Sequence, residues 1–500
     1  MTKTFNWQIV IRTFGALVVL LSLFMLVPTI LAYIDDSPDA AAFAVSTVIT
    51  FLSGLVAELW SRRAPHRVGE REGYLIVALI WVVFSIFGLQ PFYYSGALST
   101  ITDAWFETMA GFTTFGGTVF KDVEIQSRAI LLWRSMMQWL GGLGIIVLSI
   151  AILPLFGLGG MQLYAAEVTG VSYEKLSPRI ADTAKSMWGT YLLLTISEAV
   201  LLGVAGMPTF DSICHAMTTV ATGGFSTRND SLMGYGPLVQ YIVLAFMVLA
   251  GINFTQLIYV MRGNPLHAYR DEETRWYLGA VLCASVVLSL GLFVYYGFFD
   301  PESTLSLDFK SISEYGERAI RHGFFTAVAT ITSTGFSSTD YMLWPPLLWL
   351  FVLLFMFSGG SSGSTAGGIK WVRIAIVAKN AYAEMYRRIH PNAIIPIRFN
   401  GQPLPRSVVN NVMAFLFFYI IIIAGTVVVF IACGISLDES FGAAVSGIGN
   451  IGAAVGNYGP SGTYTDFPTF AKWWMTIVML IGRLEIFTVL LLFNPVLWKK

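Results

Sequence analysis

The sequence predicts an all-α integral membrane protein with four pseudo-symmetric units, each a helix, a short re-entrant segment and a second helix, preceded by two extra helices. Three observations predict this fold. Of the 500 residues, 55% are hydrophobic and only 12% are charged, whereas soluble domains carry about 25% charged residues. Apolar runs long enough to cross the hydrocarbon core as helices recur along the chain. Between these runs, four shorter segments repeat one pattern.

The apolar runs set the order of the spanning helices. They are residues 9–33, 40–60, 74–94, 130–156, 187–206, 236–261, 277–298, 344–358, 369–385, 408–433 and 469–498. The first run is too long for the core of a signal peptide, so we expect it to be retained as a spanning helix. The predicted units are an N-terminal helix pair (1–68) and four repeats (69–160, 161–265, 266–390 and 391–500).

The basic residues predict the orientation, because cytoplasmic loops of membrane proteins are enriched in Lys and Arg. Here the basic clusters lie in residues 3–12, 62–71, 175–185, 262–275, 370–406 and 499–500. Both termini are therefore expected in the cytoplasm, provided that 344–385 is one crossing interrupted in its middle. The four short segments then all enter and leave the membrane on the opposite side.

The four short segments share a sequence pattern. They begin at Asp103, Asp211, His322 and Glu439. About ten helix-compatible residues are followed in each by a short polar stretch, which ends in Gly116, Gly224, Gly335 or Gly452. Two positions before each of these key glycines stands a small polar residue: Thr114, Thr222, Ser333 or Asn450. The glycines are 108, 111 and 117 residues apart, and such spacing indicates an internal structural repeat.

The repeated loops predict a cation pore. Bare backbone at membrane depth is tolerated only where it is buried in protein or lines a water-filled cavity. Four such loops around one axis would direct carbonyl oxygens at a cation in place of its hydration shell. Glycine leaves the axis open, and the C-terminal ends of the short helices carry partial negative charge. The predicted cation-binding residues are Thr114, Phe115, Gly116, Thr222, Gly223, Gly224, Ser333, Thr334, Gly335, Asn450, Ile451 and Gly452.

The acidic residues that begin three of the segments have two interpretations. Asp103, Asp211 and Glu439 are expected mainly to be helix N-caps or first-turn carboxylates, which stabilise a helix start. The second interpretation gives them an added role in drawing cations toward the outer mouth of the pore.

Two further features interrupt the predicted pathway. The Gly-rich loop, residues 359–368, lacks the Gly-Lys-Ser/Thr ending of a phosphate-binding loop, so we expect a flexible intramembrane loop; the alternative is a simple helix kink. Arg483 lies near the centre of the last apolar run, where a charge usually faces the bundle interior or a water cavity; the alternative is an internal ion pair. For Arg134 the possible partners are Glu107 and Glu198.

These motifs resemble the Trk/Ktr/HKT superfamily of potassium transporters, and most of all its bacterial TrkH/TrkG branch. The resemblance rests on Phe-Thr-Thr-Phe-Gly116-Gly-Thr, Ala-Thr-Gly-Gly224-Phe-Ser-Thr and Thr-Ser-Thr-Gly335-Phe-Ser-Ser, which are similar to that family's first three filter loops. Trp133 to Gly144, Ser361 to Lys370 and Gly482 to Glu485 match further landmarks. The two extra N-terminal spans resemble the TrkH branch rather than the shorter KtrB branch.

The resemblance implies potassium uptake across the bacterial inner membrane, with K⁺ bound in the filter as the transported ion and no organic cofactor. It implies a homodimer with one pore per subunit and a cytoplasmic, TrkA-like nucleotide-binding ring as partner. It also implies that the loop residues Gly359, Gly360, Ser361, Ser362, Gly363, Gly367 and Gly368 form a gate, and that Arg483 is an electrostatic barrier. Phe115 and Asn450 depart from the family pattern, so we expect weaker discrimination among potassium, rubidium and sodium than in classical potassium channels.

Other functions are disfavoured by the sequence. A carrier of an organic solute built on inverted repeats would alternate the orientation of its repeats, whereas the four loops here are expected on one side. The sequence shows no catalytic constellation, so we do not expect an enzyme. Net charge is zero and no basic face is evident, so no nucleic-acid partner is expected. The three cysteines are widely spaced, which predicts neither a disulfide framework nor a zinc site.

Overall fold

The computed structural model describes residues 5–62, 69–142, 180–298, 309–393 and 395–498. This part of the chain is built mainly of α-helices. Its strands form one small antiparallel hairpin, β1 (Arg398–Phe399) and β2 (Gln402–Pro403).

The two N-terminal helices form a tightly packed hairpin, as the first two apolar runs predict. They are α1 (Trp7–Ile34) and α2 (Ala40–Trp60). A Cβ atom on Gly15 would lie only 2.9 Å from the carbonyl oxygen of Gly54, and one on Gly54 would lie 2.8 Å from the amide nitrogen of Val19. Such close backbone approach is typical of membrane helices that pack through small residues.

The remaining helices follow in four groups. The first group is α3 (Glu70–Gly88), α4 (Gln90–Tyr94), α5 (Ile101–Thr113) and α6 (Arg128–Gly142). The second is α7 (Ile180–Val204), α8 (Thr209–Val220), α9 (Pro237–Ala250), α10 (Phe254–Met261) and α11 (Pro265–Arg270). The third is α12 (Glu272–Phe298), α13 (Phe309–Ile331), α14 (Pro346–Phe355) and α15 (Trp371–Ile389). The fourth is α16 (Arg406–Ala432), α17 (Leu437–Gly449), α18 (Thr469–Arg483), α19 (Phe487–Leu490) and α20 (Pro495–Trp498). Short 3₁₀ turns lie at Tyr341–Leu343, Gly456–Tyr458 and Leu491–Phe493.

Within the described ranges, six helices are long and apolar enough to cross a membrane, or up to eight if each of two bent pairs counts as one crossing. The six are Trp7–Ile34, Ala40–Trp60, Arg71–Tyr94, Asp182–Val204, Glu272–Gly297 and Arg406–Ala432. Each coincides with a predicted run, so the prediction of an all-α membrane protein is confirmed. Of the predicted run 130–156, the part after residue 142 lies outside the described residues.

Two runs predicted as single spans, 236–261 and 469–498, are instead broken. Helices α9 and α10 meet at 107°, and α18 meets the segment Phe487–Phe493 at 111°. At the first break, the side chain of Asn253 caps the restarting helix by accepting a hydrogen bond from the amide of Thr255 at 2.8 Å. At the second, Glu485 and Ile486 both have positive φ, 54° and 61°. Apolar residues continue across both breaks, so hydropathy alone does not reveal them.

The third short helix is also longer than predicted. The repeat pattern places its start at His322, but α13 begins at Phe309. Its added N-terminal part is polar and is held by charged contacts; for example, Arg321 donates to Glu317 at 2.8 Å. The predicted interruption of the crossing at 344–385 is present, because α14 ends at Phe355 and α15 begins at Trp371.

The distribution of apolar side chains suits a lipid environment. The long helices expose large side chains, such as Leu282 (58%) and Val428 (66%). The short helices are enclosed instead, and Phe106 and Phe112 of α5 are fully buried. Within the described residues, α5 and α17 are therefore better protected than the long helices.

Candidate functional site

All four short helices end in the same backbone conformation. Just after α5, α8, α13 and α17, one non-glycine residue is left-handed: Thr114, Thr222, Ser333 and Asn450, with φ of 57°, 52°, 52° and 54°. These are the small polar residues that the repeat pattern places two positions before each key glycine. A left-handed L-residue costs about 1–2 kcal/mol, so the surrounding structure must hold each one in place.

The hydrogen bonds at the four helix ends are also equivalent. The residue after each left-handed position donates its amide to the carbonyl five residues earlier, at 2.8 Å for Phe115, Gly223 and Thr334 and at 3.0 Å for Ile451. The left-handed residue itself donates to the carbonyl three residues earlier. This pair of bonds is the Schellman motif, which satisfies the last helical carbonyls and turns the chain sharply away. The repeat seen in the sequence is thus a repeat in three dimensions.

The key glycines and their neighbours form a closed ring of four loops. A Cβ atom on Gly224 would lie 2.0 Å from the carbonyl oxygen of Thr334, and one on Gly335 would lie 2.0 Å from that of Ile451. A Cβ atom on Gly452 would lie 2.4 Å from the backbone carbon atoms of Gly116.

The ring closes between the first and second loops. A Cβ atom on Gly116 would lie 2.9 Å from the carbonyl oxygen of Gly223. Loops one, two, three and four therefore touch in sequence around a common centre, which we call the ring. No side chain fits at these contacts. The atoms nearest to an added Cβ are carbonyl oxygens at Gly116, Gly224 and Gly335, and backbone carbon and nitrogen atoms of Gly116 and Gly117 at Gly452.

One cavity, which we call the vestibule, opens on one face of the ring. Its volume is about 120 Å³, and all four key glycines line it. Beyond them its wall includes hydroxyl groups from successive loops, among them Thr118, Ser226 and Ser337. The sequence predicted that these four glycines would share an axis, and the structure brings them together.

Three side chains that the sequence analysis missed hold the ring. Gln138 of α6 is fully buried; its amide nitrogen donates to the carbonyl oxygens of Phe115 (3.3 Å) and Gly223 (2.7 Å). The hydroxyl of Tyr464 donates to the Gly452 carbonyl at 2.9 Å, and that of Tyr341 donates to the Ala454 carbonyl at 2.6 Å. For Gln138 the only available signal was a polar side chain on an otherwise apolar helix, and it did not reveal what Gln138 contacts.

The side chain of Phe115 points away from the ring. Its aromatic ring is fully buried, and it packs against Phe106 and Tyr464 with centroid distances of 6.2 and 5.5 Å. The departure of Phe115 from the family pattern is therefore accommodated in the core, and the loop keeps its left-handed turn at Thr114.

A buried ion pair stands beside the vestibule. Arg134 donates to Glu107 at 2.7 Å, and the two side chains are 2% and 0% exposed. Glu107 also accepts hydrogen bonds from the Val119 amide at 2.9 Å and from the Thr118 hydroxyl at 3.0 Å. Of the two possible partners for Arg134, the structure selects Glu107.

The acidic residues that begin three short helices lie in the first turn, as expected. Asp103 is paired with Lys472 at 2.6 Å, and Asp211 accepts from the Thr227 hydroxyl at 2.7 Å. Glu439 accepts from the Asn457 amide at 3.0 Å. These contacts fasten the short helices to the loops around them.

The Gly-rich loop lies against the other face of the ring. The amide of Gly367 donates to the hydroxyl of Ser333, and a Cβ atom on Gly367 would lie 2.2 Å from the Gly449 carbonyl oxygen. The hydroxyl of Thr365 donates to the Val220 carbonyl at 3.0 Å. The loop thus touches the ends of three short helices.

The base of the Gly-rich loop is fixed on both sides. Ser358 and Ile369 form a β-bridge, and the Gly359 amide donates to the Ile369 carbonyl at 2.9 Å. A carboxyl oxygen of the buried Glu273 accepts from the amide of Ser362. The loop is therefore a defined structure and not merely a kink between two helices.

Arg483 joins the Gly-rich loop to the ring. It lies at the break after α18, and its guanidinium donates to the Thr114 hydroxyl (3.1 Å) and the Thr365 carbonyl (2.7 Å). It also donates to the carbonyls of Gly141 and Gly142. The nearby Glu485 is instead paired with Arg373. The loop and a positive charge therefore occupy the same face of the ring.

Comparisons with known proteins agree with this architecture. Residues 41–500 match the TrkH family, described as cation transport protein. The chain is 36% identical to the Trk system potassium uptake protein TrkH of Salmonella typhimurium, over 99% of this chain and 100% of that protein. It is 35% identical to TrkG of Escherichia coli strain K12, over 100% of both. The crystal structure of the potassium transporter TrkH from Vibrio parahaemolyticus superposes with a TM-score of 0.87 at 32% identity, covering 99% of this chain and 100% of that one. The chain therefore belongs to the TrkH family of cation transport proteins, which are transporters and not enzymes.

Proposed function

We propose that this protein takes up potassium across the bacterial inner membrane by conducting it through the ring. The observation that carries the proposal is that all four key glycines line the vestibule. The relatives named above are potassium uptake proteins, and the four-loop ring provides a physical basis for the same activity here.

Potassium is the transported substrate, and backbone oxygens would replace its water. The binding residues are those of the four loops: Thr114, Phe115, Gly116, Thr222, Gly223, Gly224, Ser333, Thr334, Gly335, Asn450, Ile451 and Gly452. Four helix C-termini converge on this point, and their partial negative charges favour a cation. Gln138 would keep two of the carbonyls at a set separation, so that a smaller ion could not draw them inward freely.

The Gly-rich loop and Arg483 would close the pathway on the face opposite the vestibule. The proposed gate residues are Gly359, Gly360, Ser361, Ser362, Gly363, Gly367, Gly368 and Arg483. Opening would require the loop to leave Ser333 and Val220 and to break the bond between Arg483 and the Thr365 carbonyl. A positive charge in a narrow, poorly solvated passage repels a cation more strongly than it would in water.

A cytoplasmic partner would act on this gate through α15, which begins at Trp371, shortly after the loop. The helix carries exposed side chains toward its far end, including Tyr382 and Ile389. We assign this surface, together with the rest of the basic segment 370–406, to a TrkA-like nucleotide-binding ring. The same proposal includes a homodimer and cytoplasmic termini, as the family resemblance and the positive-inside pattern imply.

The test is growth of a bacterium that lacks its own potassium uptake systems, supplied with low potassium. The protein should restore growth, and the purified protein in proteoliposomes should take up rubidium as a potassium substitute. A matched variant, Gly335→Ala, should restore growth poorly and take up rubidium at least tenfold more slowly than wild type, while inserting into the membrane at a normal level. Absence of both growth and rubidium uptake with the correctly inserted wild-type protein would overturn the proposal.

A further inference from the structure

A second cavity lies on the side of the molecule, away from the vestibule. Its volume is about 690 Å³. We call it the lateral groove, and it is lined by Trp276, Gly279 and Cys283 of α12, Leu354 and Phe355 of α14, and Trp371 of α15. Its floor includes Ile331, the last residue of the third short helix.

The walls of the lateral groove are apolar and face outward. The lining residues Trp276 and Leu354 are 37% and 54% exposed. Helix α12 is one of the six membrane-crossing helices. In a bilayer such a surface contacts hydrocarbon, and a concave apolar surface there is filled by lipid chains or by another membrane protein.

One end of the lateral groove carries a positive charge. Arg275 lines that end and is exposed, and it forms no ion pair with any residue in the described ranges. The acidic residue beside it, Glu272, is already paired with Lys379. Glu272 also accepts a hydrogen bond from the Asn400 amide at 3.0 Å. The mouth of the groove therefore presents a guanidinium whose neighbouring carboxylate is neutralised.

We propose that the lateral groove binds an acyl chain of an anionic phospholipid whose phosphate pairs with Arg275. An apolar channel with one cation at its end matches an amphiphile with an anionic head and a hydrocarbon tail. The positive-inside pattern places Arg275 at the cytoplasmic surface, where lipid headgroups lie. Trp276 adds an aromatic side chain at this level, as is common at membrane interfaces.

The bound chain would also contact both ends of the Gly-rich loop. Ser358 and Trp371 line the lateral groove and stand immediately before and after the loop and its closing residues. The importance of this contact for transport rests on the proposed gate, but lipid binding itself does not. Lipid binding is therefore measured directly, without a transport assay.

The probe is phosphatidylglycerol with a photoreactive diazirine in one acyl chain, compared with phosphatidylcholine that carries the same group. Both are reconstituted with the full-length protein, and labelled peptides are identified by mass spectrometry. We expect the phosphatidylglycerol probe to label the peptides at 276–284 and 354–358 at least threefold more than the phosphatidylcholine probe. Arg275→Gln should reduce labelling by the phosphatidylglycerol probe about fivefold. This is the change expected for the loss of one basic residue at a charged membrane surface.

A groove-filling variant provides an independent arm. Gly279 lines the groove and has no atom within 4 Å of an added Cβ, so Gly279→Phe should fold and abolish labelling there. Gly425 of α16 has the same open surroundings outside the groove, so Gly425→Phe is the matched control and should leave labelling unchanged. Equal labelling by the two probes, or labelling that survives Gly279→Phe, would refute the site. Efficient cross-linking of Cys283 to the Cys283 of a second copy by a short reagent would also refute it, by placing a second subunit in the groove.

Discussion

Replacing Gly335 with alanine tests whether the ring conducts ions. Gly335 has φ of 75°, a conformation that costs an L-residue about 1–2 kcal/mol. The new methyl group would also lie 2.0 Å from the Ile451 carbonyl oxygen, at least 1 Å closer than Cβ atoms normally approach other atoms. That oxygen cannot withdraw easily, because two hydrogen bonds hold Ile451. Its amide donates to the Ser446 carbonyl (3.0 Å), and its carbonyl accepts from the amide of Gly116 (3.3 Å).

The expected result is a displaced carbonyl in the ring, on the proposed ion pathway. We expect rubidium uptake into proteoliposomes to fall by at least tenfold, which corresponds to about 1.4 kcal/mol of lost stabilisation of the ion in transit. The order of preference among potassium, rubidium and sodium should also change.

The control for this variant makes the same chemical change elsewhere. Gly425→Ala places a methyl group in open space on α16, where alanine is favoured over glycine in a helix by about 0.5–1 kcal/mol. It should keep full uptake and melt at an equal or higher temperature. If Gly335→Ala, inserted and folded, retained wild-type uptake and ion preference, the ring would not be the pathway.

Three further predictions follow from the contacts around the ring. Arg483→Gln should increase ion flux several-fold because it removes a positive charge from the proposed pathway, while Arg483→Lys should stay near the wild-type level; equal flux in both variants would contradict the proposed barrier. Glu107→Gln should destabilise the protein by about 3–5 kcal/mol because Arg134 would remain buried without its carboxylate; an unchanged melting temperature in detergent would exclude this. Thr365→Val removes the hydrogen bonds from the Thr365 hydroxyl to the carbonyls that end α8 and α9, so the basal rubidium leak should rise. A leak equal to that of wild type would show that these hydrogen bonds do not hold the loop.

Much of the candidate site was predictable because its signals are local in the chain. The spacing of Gly116, Gly224, Gly335 and Gly452 and the polar residue two positions before each are visible without coordinates. Each short helix ends by the same Schellman bonds, which depend on a few consecutive residues. A sequence pattern repeated four times therefore implied four equivalent helix ends.

The supporting contacts were not predictable in the same way. Gln138 reaches loops one and two from a separate helix, and Arg483 joins residues more than 100 positions away in the chain. The choice of Glu107 over Glu198 as the partner of Arg134 likewise depends on how α5, α6 and α7 pack. These are long-range pairings, and a single sequence contains no local signal for them.

Composition and periodicity determine that this chain crosses a membrane, because a bilayer accepts long apolar helices, whose backbone hydrogen bonds are satisfied internally. They also determine where the chain must turn back, since glycine and small polar residues interrupt those helices at regular intervals. Only the tertiary structure decides that the interruptions meet in one ring and that two apparent spans bend by more than 100°. Those features arise from backbone atoms of distant segments approaching within contact distance, and hydropathy carries no information about which segments approach.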